Sequence, residues 1–339
     1  MRLPLSPNAQ SFNRRSGRRN LAGAAFAALP RRGRTMRRWL LLLLLVAVAA
    51  AIAAWFVSAP RPLYARADWR AYEDGGDPGR GRIMFLAGGC ESCHMTPGEN
   101  DPLKLGGGYE LKTPFGSFFP PNISPDPQDG IGGWKVVDLA NALLVGVSPE
   151  PAHLYPALPY TSYSHMKFED VRDLMAYLRT LPPVKGRAPP HRLSFPFNIR
   201  RGVGFWKLLY LKGGVPADDP AQSAAWNRGR YLVEGPGHCA ECHSPRDIFG
   251  GIVAAKRFSG GLTADGKHKV PNITQGGALA KWSQSDIETA LSLGLTPDGD
   301  SLGGDMAPVV RNLSQLPKDD IAAIAAYIKS LPAIPSAGK

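Results

Sequence analysis

Cysteine is scarce in this chain, which has four among 339 residues, and all four belong to C-x-x-C pairs. With so few thiols, a disulfide-rich secreted scaffold is excluded. Acidic residues are absent from the first 38 positions, where ten arginines occur. Those arginines leave only +2 of the net charge of +12 for the rest of the chain, so we expect no nucleic-acid partner. Alternating polar and apolar patterns typical of strands are also scarce, which favours an all-α, loop-rich fold.

The two C-x-x-C pairs share a second feature, which is a histidine directly after each pair. In chain order the residues are Cys90, Cys93 and His94, then Cys239, Cys242 and His243. Two thiols one helical turn apart can add to the two vinyl groups on one edge of a haem, and the next side chain places its imidazole under the iron. The spacing therefore predicts two covalently bound haem c groups, with the cysteines as attachment sites and the histidines as iron ligands.

Three other interpretations of the pairs explain less of the sequence. Pairs that share one zinc ion lie about 15–20 residues apart, whereas Cys90 and Cys239 are 149 positions apart. A thioredoxin-like redox pair needs a βαβ context, which neither pair has. Two separate disulfides are compatible with an oxidising compartment, but they leave both histidines unexplained.

An unbroken apolar run of eighteen residues ends at Val57. It is just long enough to cross a bilayer, and the arginines before it are expected to stay in the cytoplasm. We interpret 39–58 as a transmembrane anchor, with a cleaved signal ending near Ser58 as the alternative. The preceding residues 1–38 form a basic leader that is either disordered or the result of a start upstream of Met36. The predicted location is the inner (cytoplasmic) membrane, with the haem domains on the periplasmic side.

Beyond the apolar run the chain repeats itself with an offset of 148–150 residues. Corresponding stretches include Pro121-Asn122-Ile123 and Pro271-Asn272-Ile273, Trp134 and Trp282, Ala176-Tyr177 and Ala326-Tyr327, and Leu181-Pro182 and Leu331-Pro332. A constant offset over this length indicates two copies of one unit. We therefore predict a first haem domain at 77–183, an inter-domain linker at 184–219, and a second haem domain at 220–334.

Each copy is predicted to contain three helices separated by loops rich in glycine and proline. The predicted helices are 79–87, 136–144 and 169–180 in the first copy, and 224–234, 284–293 and 318–330 in the second. Ser283 and Asp286 have the spacing of a capping pair at the start of one of them. The apolar surface of a haem explains how so loop-rich a chain can form a core.

Several stretches together resemble a known family more specifically than C-x-x-C-H alone. They are Gly88-Gly89-Cys90, Thr113-Pro114-Phe115-Gly116, Pro121-Asn122-Ile123-Ser124-Pro125, Leu154-Tyr155-Pro156-Ala157 and Cys242-His243-Ser244-Pro245-Arg246. From 79 to 332 the chain resembles the cytochrome c subunits of membrane-bound bacterial alcohol, gluconate and sorbitol dehydrogenases. The well-known members carry three haem motifs, whereas this sequence carries two.

The resemblance implies a fold and a set of partners. The expected fold is two tandem class I cytochrome c-type domains after an N-terminal membrane helix. The expected electron donor is the catalytic subunit of a dehydrogenase. The expected acceptor is a cytochrome, a quinone or a terminal oxidase of the respiratory chain.

The two copies differ at the second axial ligand. A haem c of this type takes a methionine from the loop before the last helix. In the second copy Met306 lies in that loop, and we predict that it binds the second iron. The repeat offset of 148 puts Leu158 at this position in the first copy, and leucine cannot coordinate iron. Met166 and His153 are the nearby candidates for the first iron, and we favour Met166 because it keeps the thioether ligand.

The sequence favours an electron-transfer subunit over a stand-alone enzyme, because it contains no acid–base cluster of catalytic type beyond the haem residues. The alternative is a dihaem redox enzyme, either a peroxidase or a sulfur-compound oxidoreductase, with an open or labile site at the first haem. Leu158 supports that alternative. A third interpretation is a membrane-tethered haem scaffold that docks a partner without passing electrons.

The predicted linker contains an aromatic and basic stretch around Phe205-Trp206-Lys207. We interpret it as a segment that packs the two domains together. A membrane surface or a partner subunit is the alternative contact.

Overall fold

A computed structural model describes residues 31–336 of the chain. Most of the predicted basic leader, 1–38, lies outside the described residues. The chain divides into two compact units, with the boundary after Ala54.

Helix α1 (Arg31–Val57) covers all but the last residue of the predicted anchor, and most of it lies in the first unit. Its segment Thr35–Val57 is long and apolar enough to cross a membrane, a property that an N-terminal signal sequence shares. The helix begins inside the predicted leader, because Arg, Thr and Met continue a helix once one has formed. The finding is compatible with a membrane anchor.

The second unit is rich in helices. The first copy of the repeat forms α2 (Pro78–Ala87), α3 (Cys90–His94), α4 (Val136–Val145), α5 (Tyr160–Tyr163) and α6 (Phe168–Leu178). The linker forms α7 (Gly202–Tyr210). The second copy forms α8 (Ala224–Glu234), α9 (Ala240–His243), α10 (Gln284–Leu293), α11 (Met306–Leu313) and α12 (Lys318–Ser330). Short 3₁₀ turns occur at Arg66–Ala71, Ala254–Lys256 and Ala278–Lys281.

Five short strands accompany the helices, so the predicted all-α class is confirmed only as helix-rich. Strands β1 (Leu111–Thr113), β2 (Gly116–Phe118) and β3 (Arg192–Leu193) form one antiparallel sheet, and β4 (Gly261–Leu262) pairs with β5 (Lys269–Val270). Each strand has only two or three residues. Alternation cannot be recognised over so few positions, which is why the sequence did not reveal them.

All six predicted helices are present, with ends that match within two residues. The predicted capping pair is confirmed, since the Ser283 hydroxyl accepts from the Asp286 amide at 3.1 Å and the Ser283 amide donates to the Asp286 carboxylate at 2.7 Å. The sequence missed α5, α7 and α11. The sequence predicted loops for α5 and α11, because prolines and glycines interrupt the helical pattern there.

The first and last helices of each copy cross at a glycine. A Cβ atom on Gly81 of α2 would lie 1.9 Å from the carbonyl oxygen of Asp173 in α6. A Cβ atom on Gly229 of α8 would lie 1.9 Å from the carbonyl oxygen of Ala323 in α12. The two glycines are 148 positions apart. The sequence repeat is therefore also a repeat of helix contacts, and glycine is required because the two backbones touch.

Most buried apolar residues of the two copies form one continuous cluster, apart from a small second cluster of Phe118, Tyr155 and Val203. The continuous cluster includes Phe85 and Val171 from the first copy, and Leu232 and Ile324 from the second. Burying one such side chain stabilises the fold by about 1.5–3 kcal/mol. The two copies therefore contribute to a shared core.

Helix α7 contacts both copies. The Lys207 ammonium donates to the carbonyl oxygens of Val145 and Gly146 in the first copy. The Trp206 indole donates to the carbonyl oxygen of Phe249 in the second copy at 3.0 Å. These contacts agree with the interpretation that the linker packs the copies together.

We expect Gly81→Ala and Gly229→Ala each to lower the free energy of unfolding by about 1–3 kcal/mol, because the added methyl group meets a backbone oxygen that cannot move away. Denaturant unfolding followed by circular dichroism measures the change. Gly202→Ala is the matched control, since a Cβ atom there meets no atom within 4 Å. Equal stability of all three variants would contradict the close helix crossing.

Candidate haem sites

The two C-x-x-C-H motifs each form a short helical turn, α3 and α9. Cys90 and Cys239 are half-buried, Cys93 and Cys242 are exposed, and all four thiols are free. Among the described residues, no three His, Cys, Asp or Glu side chains are arranged to hold a metal ion. The structure thus brings each pair of thiols together on one turn, and it contains neither of the disulfides considered as an alternative.

The motif histidines are oriented by backbone carbonyl groups. The Nδ1–H of His94 donates to the carbonyl oxygen of Pro121 at 2.8 Å. His243 makes the same bond, at 2.8 Å, to Pro271. A carbonyl oxygen only accepts, so Nδ1 carries the proton and Nε2 keeps its lone pair for a metal. Burial lowers the pKa of both imidazoles, which keeps them in the neutral form that binds a metal.

An asparagine holds each proline loop in place. The side-chain amide of Asn122 donates to the carbonyl oxygen of Val184 at 2.6 Å, and that of Asn272 donates to Ile334 at 2.8 Å. Both acceptors lie in the segment that follows the last helix of their copy. The histidine bonds to the proline carbonyl, and the adjacent asparagine bonds to the segment after the last helix. These two hydrogen bonds connect each motif to that segment. The repeated Pro-Asn-Ile stretch was visible in the sequence, but its role was not.

Each motif also contacts the other copy through a glutamate between its two cysteines. Glu91 accepts from Arg311 at 2.8 Å and from Asn312 at 2.9 Å, both in α11. Glu241 accepts from the hydroxyl groups of Thr161 at 2.7 Å and Ser162 at 2.9 Å, both in α5. The first motif is thus supported by α11 of the second copy, and the second motif by α5 of the first copy. Each of these short helices lies at the predicted position of the second axial ligand in its own copy.

Sequence reasoning missed both glutamates. The available signal was an acidic residue inside each motif, although it occupies a different position in each, first after Cys90 and second after Cys239. Burial opposes ionisation of Glu241, but Arg246 and the neighbouring hydroxyl groups lower its pKa below the usual value. Glu241 is therefore ionised at neutral pH.

The two motifs are neighbours, since the Nε2 atom of His238 lies 3.2 Å from the carbonyl oxygen of Gly88. Burial raises the pKa of Cys90 and of Cys239 to about 12. Burial, and then the neighbouring Cys242, raise the pKa of Cys93 to about 11. Charge on one motif is therefore felt by the other.

The predicted second axial ligand of the second copy, Met306, is half-buried and is the first residue of α11. The sequence had assigned it to a loop. Leu158, its counterpart, lies two residues before α5 and packs against the core. Met306 and Leu158 therefore occupy similar positions in the two copies, each at or just before a short helix.

Both candidates for the first iron, Met166 and His153, are buried. Met166 is 3% exposed in the shared core, and its repeat counterpart Leu316 is 6% exposed in the same core. The Nε2 atom of His153 lies 2.8 Å from the carbonyl oxygen of Ser58, to which it donates. Its Nδ1 atom is buried without a hydrogen-bond partner. Met166 thus occupies a packing position, and His153 is directed toward the segment that follows α1.

These donor groups fit haem c. Each copy supplies two free thiols on one helical turn and a neutral imidazole whose Nε2 is left for a metal.

Comparison with known proteins agrees with this chemistry. The cytochrome c family matches residues 79–182. A dihaem cytochrome c-type protein of Cereibacter sphaeroides is 52% identical over 264 residues, which cover 76% of this chain and 87% of that protein. The chain belongs to the cytochrome c family.

Other relatives of this cytochrome are named as parts of dehydrogenases. One of the subunits of the nicotinate dehydrogenase of Pseudomonas putida is 39% identical over 76% of this chain and 22% of that protein. The fructose dehydrogenase cytochrome subunit of Gluconobacter japonicus is 36% identical over 77% of this chain and 54% of that protein. Cytochrome c subunits of alcohol and gluconate dehydrogenases are also similar, which confirms the resemblance to that family. The cytochrome spans only part of these dehydrogenase subunits.

The contact between Glu91 and Arg311 can be measured by a double-mutant cycle. We expect Glu91→Gln to lower the free energy of unfolding by about 1–3 kcal/mol, because a buried carboxylate loses its charge-assisted bonds. Combined with Arg311→Gln, the cycle should give a coupling energy of about 1 kcal/mol. Both are obtained from denaturant unfolding.

The exposed pair Glu99–Lys104, 2.9 Å apart, is the matched control. Its cycle should give a coupling energy of about 0–1 kcal/mol, because water screens exposed charges. A Glu91–Arg311 coupling that does not exceed the control would mean that this contact between the copies adds no stability.

Proposed function

We propose that this cytochrome is an electron-transfer protein with two tandem cytochrome c domains, 77–183 and 220–334, each carrying one covalently bound haem c. The observation that carries the proposal is the duplicated bond from a motif histidine to a proline carbonyl. The name of the dihaem relative supports two haems. Bound haem supplies a reversible one-electron couple. The cysteines would hold it, the histidines would supply the imidazole nitrogen for its iron, and the apolar core would limit the access of water.

We further propose a dehydrogenase catalytic subunit as the electron donor. The names of the nicotinate and fructose dehydrogenase relatives support this partner. A cytochrome, a quinone or a terminal oxidase then accepts the electrons. One-electron transfer needs no acid–base group at the site, and the two carboxylates inside the motifs, Glu91 and Glu241, are held in hydrogen bonds with the other copy.

The proposed location is the inner membrane, with both haem domains on the periplasmic side. The apolar segment Thr35–Val57 and the preceding arginines support it. The candidate cleavage site is buried at Ser58, whose carbonyl accepts from His153 and whose hydroxyl accepts from Arg201 at 3.0 Å. Because a protease would have to open these contacts, they favour an uncleaved anchor.

Substrate-driven reduction tests the proposed donor. In host membranes containing the chain, we expect one of nicotinate, fructose, an alcohol or gluconate to reduce the haems at the rate of dehydrogenase turnover, as measured by absorbance. The chain should accept two electrons, and a variant with Cys239→Ser and Cys242→Ser should accept one. The proposed donor would be contradicted if dithionite reduces the haems and none of the four substrates does.

A dihaem redox enzyme with an open first haem is the second candidate function. Leu158 at the ligand position and Met166 at a packing position favour it, as does the bond between His153 and Ser58. Met166 stays the predicted ligand of the first iron under the electron-transfer proposal. The two functions therefore differ in whether an external ligand can reach that iron.

Binding of carbon monoxide to the reduced protein separates the two. We expect Met306→Leu to add one equivalent of bound carbon monoxide, because it removes the thioether from the second iron. If Met166 binds the first iron, the unmodified protein binds none and Met166→Leu binds one. An open first haem gives one equivalent in the unmodified protein, and Leu158→Met removes it. These exchanges nearly conserve volume and should cost less than about 1.5 kcal/mol.

A further inference from the structure

Helix α7 has an outward face that is apolar. Its inward face contains Val203 and Lys207, which are buried. Phe205, Leu208 and Leu209 are 43%, 61% and 58% exposed. Their spacing of three and four positions places them on one side of the helix. A helix that packs on a globular protein normally turns its polar side outward, so this face is suited to a contact other than water.

The start of α7 lies against Trp55 and Ser58, where the chain leaves α1. A Cβ atom on Gly204 would lie 2.4 Å from the carbonyl oxygen of Ser58. The guanidinium group of Arg201 lies 4.1 Å from the centre of the Trp55 ring and also donates to the Trp55 carbonyl. The first turn of α7 is therefore in contact with the point at which the chain leaves α1.

The segment that carries the face has charge of one sign, although Asp247 of the second copy accepts from the Tyr210 hydroxyl of α7 at 2.7 Å. Between 195 and 217 the sequence has four basic residues and no acidic residue. Lys207 is turned inward, and the other three basic residues, Arg200, Arg201 and Lys212, flank α7 at its two ends. A short helix with an apolar, partly aromatic face and basic residues at its ends can bind the headgroup region of an anionic bilayer.

We propose that the outward face of α7 inserts into the headgroup boundary of an anionic membrane beside the anchor. The proposal rests on the proposed membrane anchoring. The face would give the haem-bearing unit a second membrane contact, which restricts its rotation about the linker to α1. A protein partner is disfavoured as the occupant, because the start of the helix that carries the face contacts the chain where it leaves the apolar helix α1.

The test uses the full chain, in which haem attachment consumes all four native cysteines. Leu208→Cys then provides a single reactive thiol for a nitroxide spin label. The labelled protein is reconstituted into vesicles of phosphatidylethanolamine and phosphatidylglycerol. Power-saturation electron paramagnetic resonance compares collisions with oxygen, which dissolves in lipid, and with a water-soluble nickel chelate. Leu293→Cys in α10 is the matched control, because this leucine is 68% exposed in the second copy.

We expect the label at 208 to collide more with oxygen than with the chelate, and the label at 293 to show the reverse. A label at 208 that is as accessible to the chelate as the label at 293 would overturn the proposal. Protection at 208 that requires the added dehydrogenase catalytic subunit would also overturn it and assign the face to a protein contact. A chain that does not float with the vesicles would instead refute the anchor itself.

Discussion

A hydrogen bond from the histidine of each motif to a proline carbonyl connects the local motif to the rest of the fold. The bond is needed because a free imidazole rotates and exchanges tautomers, whereas a metal ligand must present one defined nitrogen. Pro121 and Pro271 supply the acceptors, both at 2.8 Å. Asn122 and Asn272 then tie these loops to the segments after the last helices, so the orientation of each imidazole depends on how the whole copy is folded.

The duplication produced one compact unit because the two copies share both apolar and polar contacts. Most of their buried apolar side chains belong to one cluster, and the glutamate inside each motif is held by the other copy. Glu91 pairs with Arg311, and Glu241 accepts from Thr161 and Ser162. A buried carboxylate is costly unless it is paired, so these contacts favour one specific arrangement of the copies. The neighbourhood of Cys93 and Cys242 follows from this arrangement, and it suits the transfer of electrons between two centres in one protein.

The copies are equal as attachment sites and unequal at the position opposite the histidine. Met306 and Leu158 occupy equivalent places, each at or just before a short helix. Met166 matches Leu316 in the core, and His153 contacts the chain that follows α1. The asymmetry is therefore confined to a few side chains within a common framework. Such a difference leaves the fold intact, and under the proposed function it would change the chemistry open to each haem.

Local sequence was sufficient for much of this protein. The C-x-x-C-H motifs and six helices could be predicted because they depend on residues a few positions apart, such as Ser283 and Asp286. The repeat could be predicted because its offset of 148–150 residues is constant. The tertiary structure decided the rest. The acceptors for His94 and His243, the partners of Glu91, and the outward face of α7 all depend on residues distant in sequence. Short helices such as α5 and α11 could also be recognised only from the tertiary structure. A few residues next to or interrupted by a proline become helical only when the surrounding fold holds them in place.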